Sequence, residues 1–136
     1  LMAYLEQSTR YVPYTDRPGG RWKYHVPVEL DDSPLREDYV SCLDQSFETY
    51  AKWFDAMQDH FGRRYPRESG VSAGVYRRTL RAKALDAVRG LLPAATLANG
   101  GIYGTGQAYE ALLLRMRANP LLEVQDCAAS MLTELR

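Results

Sequence analysis

The chain has 136 residues, the usual length of a single domain with one core. Its 17 basic and 17 acidic residues cancel, so no overall field draws it to nucleic acid or to a membrane, and any anion site has to be local. No apolar run approaches the roughly 20 residues that a membrane span needs. We therefore expect a cytoplasmic protein with no nucleic acid or membrane as partner.

The segment YLEQSTRYVPY, residues 4–14, alternates an acid, a hydroxyl and a cation. In an extended strand, side chains two positions apart share one face. One face would then carry Glu6, Ser8 and Arg10, and the other Gln7, Thr9 and Tyr11. The first face can bind a single ligand, although the polar face of an ordinary edge strand would give the same pattern.

Residues 10–30 predict a β hairpin. The turn-forming sequence TDRPGG, residues 15–20, separates two β-prone runs, RYVPY and RWKYHVPVEL. Pro13 and Pro27 would keep parts of this hairpin at a sheet edge, because proline cannot donate to a strand ladder. We expect the antiparallel β element of the protein here, near residues 10–29.

A long helix is predicted next. Ser33 is expected to cap it and Pro34 to occupy its first turn, where the missing N–H costs nothing. Apolar residues then recur at alternating spacings of three and four, which places them on one helix face. They are Val40, Leu43, Phe47, Tyr50, Phe54, Met57 and Phe61.

A loop over about residues 62–74 separates this helix from a second one, expected from Val75 to Leu92 and stopped by Pro93. The second helix is strongly basic. Its first arginines are interpreted as a solvated face; they are Arg77, Arg78 and Arg81.

The glycine-rich run at residues 94–106 predicts a short strand or a loop. A third helix should begin near Thr105 and reach Arg117, and Pro120 should open a fourth. The inner residues of the fourth are expected to be Leu121, Val124, Ala128, Met131, Leu132 and Leu135. The predicted fold class is therefore α+β, predominantly helical, with about four helices and a small antiparallel β element.

The sequence NGGIYGTGQ does not match a nucleotide-binding loop. It lacks the third glycine of a dinucleotide-binding turn and the Lys-Ser/Thr of a phosphate-binding loop. Its glycines are interpreted as letting a strand turn sharply into a helix, whose N-terminal N–H groups can face an anion.

The cysteines and histidines match no metal-binding spacing. Cys42 and Cys127 lie far apart among apolar helical positions, which favours buried free thiols in a reduced compartment. His25 lies in a predicted strand and His60 near a predicted helix end, and both are interpreted as structural. We predict no metal site.

The segment EQSTRY resembles the end of the signature of the flavin-dependent thymidylate synthases. In that signature Arg-His-Arg is followed by seven residues, a serine, one further residue and an arginine. If Ser8 is that serine, the triplet falls just before Leu1. Residues 1–136 are therefore expected to be one domain, the C-terminal part of a flavin-dependent thymidylate synthase-like domain. YHVP, the long helix, AVRGLLP and EALLLR follow in the family's order.

The resemblance implies binding of deoxyuridine monophosphate (dUMP). The matching positions are Glu6, Gln7, Ser8, Thr9, Arg10, Arg89 and Arg115. Ser8, Arg10 and Arg89 would contact the phosphate, because a guanidinium offers forked donors to phosphate oxygens. Arg115 would reach the uracil as the catalytic cation, since a nearby cation favours the negative charge that develops on the ring.

The resemblance is poorer in the half that would hold the flavin. The family positions Asn, Arg and Asn near the FAD fall on Gly104, Gly106 and Glu110, and a later histidine is replaced by Asn119. Two functions stay open. The first is reductive methylation of dUMP to dTMP with methylenetetrahydrofolate, reduced FAD and NADPH, in a homotetramer. The second is a degenerate, non-catalytic nucleotide-binding or assembly domain of the same fold.

Overall fold

The structure is a computed structural model that describes residues 2–135. Its elements in chain order are β1 (Met2–Glu6), α1 (Arg36–Arg64), α2 (Ala73–Val88), β2 (Gly100–Gly104), α3 (Gly106–Arg117) and α4 (Leu122–Glu134). Short 3-10 turns lie at Pro18–Gly20, Val28–Leu30 and Arg89–Leu91. The predicted fold class, predominantly helical α+β with a small antiparallel sheet, is confirmed.

The chain forms two compact units, which we describe separately. The α1/α2 unit consists of Gln7–Val26 and Leu35–Ala98. The β1/β2 unit consists of the residues up to Glu6, Pro27–Pro34 and the residues from Asn99 onwards.

In the α1/α2 unit, the apolar stripe of α1 forms the core as predicted. Phe47 and Tyr50 are 0% exposed, and Leu43 and Phe54 are buried beside them along the helix. The last turns of α2 complete this core with Ala84, Leu85 and Val88. The helix predicted up to Leu92 is α-helical to Val88 and continues as the 3-10 turn before Pro93.

The expected cap of α1 is wrong. The helix begins at Arg36 with Leu35 as its N-cap residue, and Pro34 lies in a turn before it. Ser33 N–H donates to the carbonyl of Leu30 at 3.0 Å, within the turn that follows the 3-10 segment Val28–Leu30. Ser33 is therefore part of a turn that precedes α1, and it does not occupy the N-cap position.

The hairpin expected near residues 10–29 is also wrong, because this segment packs its aromatic side chains onto α1. The Trp22 and Tyr24 rings lie 5.5 and 5.7 Å from the ring of Phe47. Tyr24 OH donates to Asp44 at 2.8 Å. The backbone of Tyr24 forms an isolated antiparallel bridge with Thr96. Aromatic burial on α1 therefore orders this segment in place of a paired hairpin.

The β1/β2 unit contains the antiparallel sheet. Met2 lies opposite Gly104 and Glu6 opposite Gly100. The glycine-rich run, which was predicted to form a short strand or a loop, therefore contains a strand. α3 begins as predicted, because Thr105 Oγ1 accepts a hydrogen bond from Ala108 N–H at 3.3 Å.

α4 packs on α3 through part of its predicted inner face. Ala128 is buried, and Val124, Met131 and Leu132 are half-buried. Leu121 and Leu135 are exposed, so the face is narrower than expected. The helix begins at Leu122, two residues after Pro120.

Cys42 and Cys127 are free thiols but are exposed, so the expected burial is wrong. Each immediately precedes a buried residue, Leu43 and Ala128, and therefore points away from the core face of its helix. Within residues 2–135 no helix is long and apolar enough to cross a membrane.

We expect Phe47→Ala to destabilise the protein by about 3–5 kcal/mol, because it leaves a cavity at the centre of the α1/α2 core. Urea denaturation measures the change. Trp53→Ala is the matched control, since Trp53 is an aromatic residue of the same helix that is 46% exposed. Equal losses from the two substitutions would contradict the assigned core.

Burial, together with the hydrogen bond to Asp44, raises the pKa of Tyr24 to about 12. A tyrosine in the unfolded chain has a pKa of about 10. Between these two values the unfolded state loses a proton that the folded state keeps, so the free energy of unfolding should fall as pH rises.

An alkaline absorbance titration of the wild type against Tyr24→Phe isolates this hydroxyl, and chemical denaturation across the same range tests its linkage to stability. A Tyr24 hydroxyl that titrates near pH 10 would contradict the hydrogen-bonded, half-buried position in the structure.

Candidate functional site

Ser8 and Arg10 lie in a turn, which overturns the expectation of one extended strand through Glu6, Ser8 and Arg10. β1 ends at Glu6. Tyr11 N–H donates to the Ser8 carbonyl at 3.1 Å, and Arg10 N–H donates to Ser8 Oγ at 3.3 Å. A serine oxygen that accepts a hydrogen bond from the backbone two residues later stabilises a turn in place of a strand.

The Arg10 side chain is held by Asp86 of α2. Arg10 Nε donates to Asp86 Oδ1 at 2.8 Å, and Arg10 Nη2 donates to Oδ2 at 3.0 Å. Both oxygens of one carboxylate therefore meet one edge of the guanidinium, the bidentate geometry that orients arginine most firmly. Asp86 fixes the direction of a side chain that would otherwise sample many rotamers.

Arg89 contacts the same acid. Its Nε lies 3.8 Å from Asp86 Oδ1, one helical turn further along the chain. Arg10 and Arg89, two of the three residues predicted to contact a phosphate, thus both lie within 4.0 Å of the Asp86 carboxylate. We call the group of Arg10, Asp86 and Arg89 the arginine–aspartate cluster.

The cluster is ionised and accessible. The hydrogen bond from Arg10 lowers the pKa of Asp86 below its ordinary value, with a smaller contribution from Arg89. The same bond raises the pKa of Arg10. The three side chains are 51%, 41% and 46% exposed for Arg10, Asp86 and Arg89, so solvent screens the charges and a ligand can reach them.

The cluster can bind an anion. Asp86 engages the Nε and Nη2 atoms of Arg10, which leaves the Nη1 edge of the guanidinium for another acceptor. The Ser8 hydroxyl accepts from the Arg10 backbone and can still donate its own hydrogen. Gln7 and Thr9 are half-buried in the same stretch of chain.

The remaining predicted residues lie in the β1/β2 unit. Glu6 ends β1 opposite Gly100, and Arg115 is exposed in the last turn of α3. Gly104 ends β2, and Gly106 and Glu110 line a cavity of about 340 Å³ between α3 and α4. Its other lining residues are Tyr109, Arg117 and the leucines Leu113, Leu114, Leu132 and Leu135.

Sequence reasoning missed Asp86. The sequence could have indicated its contact with Arg89, because it lies three residues before Arg89 on a predicted helix and this spacing brings an acid and a base together. Its bond to Arg10, 76 residues away, had no local signal.

Two guanidiniums beside one carboxylate, on a helical α+β scaffold, leave a local positive charge at which an anion can bind. The chain belongs to the thymidylate synthase complementing protein family, whose sequence model matches residues 1–136.

The chain is also similar to three curated proteins. It is 38% identical over 131 residues to a UPF0159 protein of Chlamydia muridarum (strain MoPn / Nigg) and 36% identical over 131 residues to one of Chlamydia pneumoniae. Each match covers 96% of this chain and 25% of the relative. A UPF0159 protein of Thermoplasma acidophilum is 26% identical over 157 residues, covering 99% of this chain and 31% of the relative. The chain thus spans between about a quarter and a third of these relatives.

We expect Arg10→Ala to raise the pKa of Asp86 towards its ordinary value of 3.8, because the hydrogen bond from Arg10 is the main cause of the depression. Arg89→Ala should have a smaller effect. Carboxyl-carbon NMR titration measures both.

The sign of the linkage follows from the lowered pKa. The stability that Asp86 contributes is present above its unfolded pKa and is lost as pH falls through the lower folded value. Equal shifts of the Asp86 pKa in the two variants would contradict the dominance of Arg10.

Proposed function

We propose that this chain supplies the nucleotide-binding part of a thymidylate synthase-like protein, and that Ser8, Arg10 and Arg89 bind the phosphate of dUMP. The observation that carries the proposal is the convergence of Arg10 and Arg89 on Asp86. Family membership supports the same assignment, because the resemblance of EQSTRY and AVRGLLP matched these positions to phosphate contacts.

Asp86 contributes to this binding by preorganisation. Two guanidiniums carry two positive charges and Asp86 one negative charge, so the cluster keeps a net positive charge for a phosphate. Because Asp86 already orients Arg10, less side-chain entropy is lost when a ligand binds. The second edge of Arg10 and the Ser8 hydroxyl then offer charge-assisted and neutral hydrogen bonds to phosphate oxygens.

The reaction proposed for the whole protein is reductive methylation of dUMP to dTMP. Methylenetetrahydrofolate would supply the carbon, and FAD reduced by NADPH would supply the redox chemistry. Arg115 is proposed as the cation that favours negative charge on the pyrimidine. The proposed assembly is a homotetramer located in the cytoplasm.

The positions matched to the flavin do not fit that cofactor. Gly104 and Gly106 have no side chain to donate a hydrogen bond, and Glu110 brings a negative charge to a cavity that Arg117 also lines. This misfit favours the second candidate, a non-catalytic nucleotide-binding domain of the same fold.

We expect the protein to bind dUMP more tightly than deoxyuridine. Charge-assisted hydrogen bonds contribute about 1.5–3 kcal/mol each before the cost of desolvation. Arg10→Ala should remove most of the difference, because it deletes the second donor edge and leaves Asp86 to repel the phosphate. Isothermal titration calorimetry measures all four affinities.

Arg67→Ala is the matched control. Arg67 is an exposed arginine of the loop between α1 and α2 and lies outside the arginine–aspartate cluster. Its variant should keep the preference for dUMP. Equal affinity for nucleotide and nucleoside, or normal dUMP binding by Arg10→Ala, would overturn the phosphate site. A flavin absorbance spectrum of the purified whole protein separates the two candidate functions.

A further inference from the structure

The α1/α2 unit contains a second group of arginines, which lines an open groove of about 720 Å³. Arg63 contributes from the last turn of α1, and Arg77, Arg78 and Arg81 contribute from α2. We call this cavity the arginine groove. The sequence predicted that the α2 arginines form a solvated face. Arg63 was not part of that prediction, because it belongs to α1 and lines the same groove only when the two helices pack together.

The charges of the arginine groove are not balanced. Four guanidiniums line it, and Asp59 is the one carboxylate among its lining residues within the described part of the chain. Arg10, Arg17 and Arg89 each have a carboxylate within 4.0 Å. Across residues 2–135 no such ion pair involves any arginine of the groove.

The spacing of the α2 arginines places like charges side by side. Arg81 is four residues from Arg77 and three from Arg78, so the three side chains are neighbours on one helix face. Like charges at these spacings destabilise a helix. An anion bound between them would remove that repulsion.

The walls of the arginine groove are held in place by their own contacts. Tyr76 OH, at the start of α2, shares its one hydrogen between the carbonyl of Tyr65 at 2.7 Å and that of Gly62 at 3.3 Å. Gly62 lies against Leu80, whose Cδ1 would be 3.6 Å from a Cβ at that position. These contacts hold the end of α1 beside the start of α2, and so keep Arg63 close to the α2 arginines.

We propose that the arginine groove binds a small polyanion that carries a di- or triphosphate group. Guanidiniums on both walls can contact several phosphate oxygens at once, and this is the geometry that arginine recognises best. The volume lies within the range of small-molecule sites, roughly 300–1,000 Å³. The neutral net charge of the chain gives no extended field to hold a long nucleic acid, so the positive potential is confined to the groove. This inference does not depend on the proposed function.

The test is calorimetric titration of the full chain with sodium tripolyphosphate. The double variant Arg77→Gln/Arg81→Gln should bind at least about tenfold more weakly, equal to about 1.4 kcal/mol. Arg67→Gln is the control, because Arg67 is an exposed arginine of the neighbouring loop that does not line the groove. All of these residues are exposed, and circular dichroism confirms that each variant folds.

Asp59→Asn is an independent test, because it should change the affinity in the opposite direction from the arginine substitutions. Removing the one carboxylate of the arginine groove should tighten tripolyphosphate binding, whereas Asp126→Asn, the same charge change on α4, should leave the affinity unchanged. Arg10→Ala should also leave it unchanged, which separates this site from dUMP binding at the arginine–aspartate cluster.

Three results would overturn the inference. The first is an equal loss of affinity in the Arg67→Gln control and the double variant. The second is orthophosphate binding as tight as tripolyphosphate, which would exclude recognition of several linked phosphates. The third is binding of a single-stranded oligonucleotide with no binding of tripolyphosphate, which would assign the groove to a nucleic acid.

Discussion

Burial of the aromatic stripe of α1 is the interaction on which the α1/α2 unit depends. Phe47 and Tyr50 are completely enclosed. Trp22 and Tyr24 stack or tilt against Phe47, while the Tyr14 N–H reaches the Tyr50 hydroxyl at 3.4 Å. The segment before α1 has little regular secondary structure, and the packing of these side chains holds it against the helix.

The same packing places the side chains of the arginine–aspartate cluster. Leu85 and Val88 enter the core from α2, so Asp86 and Arg89 project from the outer part of the same helical turns. Tyr14 is buried four residues after Arg10, which limits how far the Ser8–Tyr11 turn can move from α2. The arginine–aspartate cluster is therefore a consequence of apolar burial on both of its sides, completed by one bidentate ion pair.

The α1/α2 unit uses arginine in two contrasting ways. In the arginine–aspartate cluster an internal carboxylate orients the guanidiniums, so part of the ordering cost is met before any ligand arrives. In the arginine groove the packing of Tyr76 and Leu80 fixes the backbone, while the guanidiniums have no carboxylate partner within residues 2–135. These two arrangements underlie the two proposals, one phosphate at the arginine–aspartate cluster and a ligand of higher charge at the arginine groove.

Several features were determined by the sequence itself. The spacing of apolar residues predicted the core face of α1, because a helix repeats every 3.6 residues whatever surrounds it. Thr105 predicted the start of α3, since a cap acts on backbone N–H groups only three residues away. EQSTRY, together with the order of later segments, indicated the family that matches residues 1–136.

Other features were decided only by the tertiary structure, because they join residues that are distant in sequence. The sheet pairs Met2–Glu6 with Gly100–Gly104, and local β propensity could not choose that partner over a hairpin near residues 10–29. Arg10 meets Asp86 across 76 positions, and Arg63 meets the α2 arginines only after two helices pack. Local patterns record periodicity and caps, whereas which charges become neighbours depends on how apolar faces pack against one another.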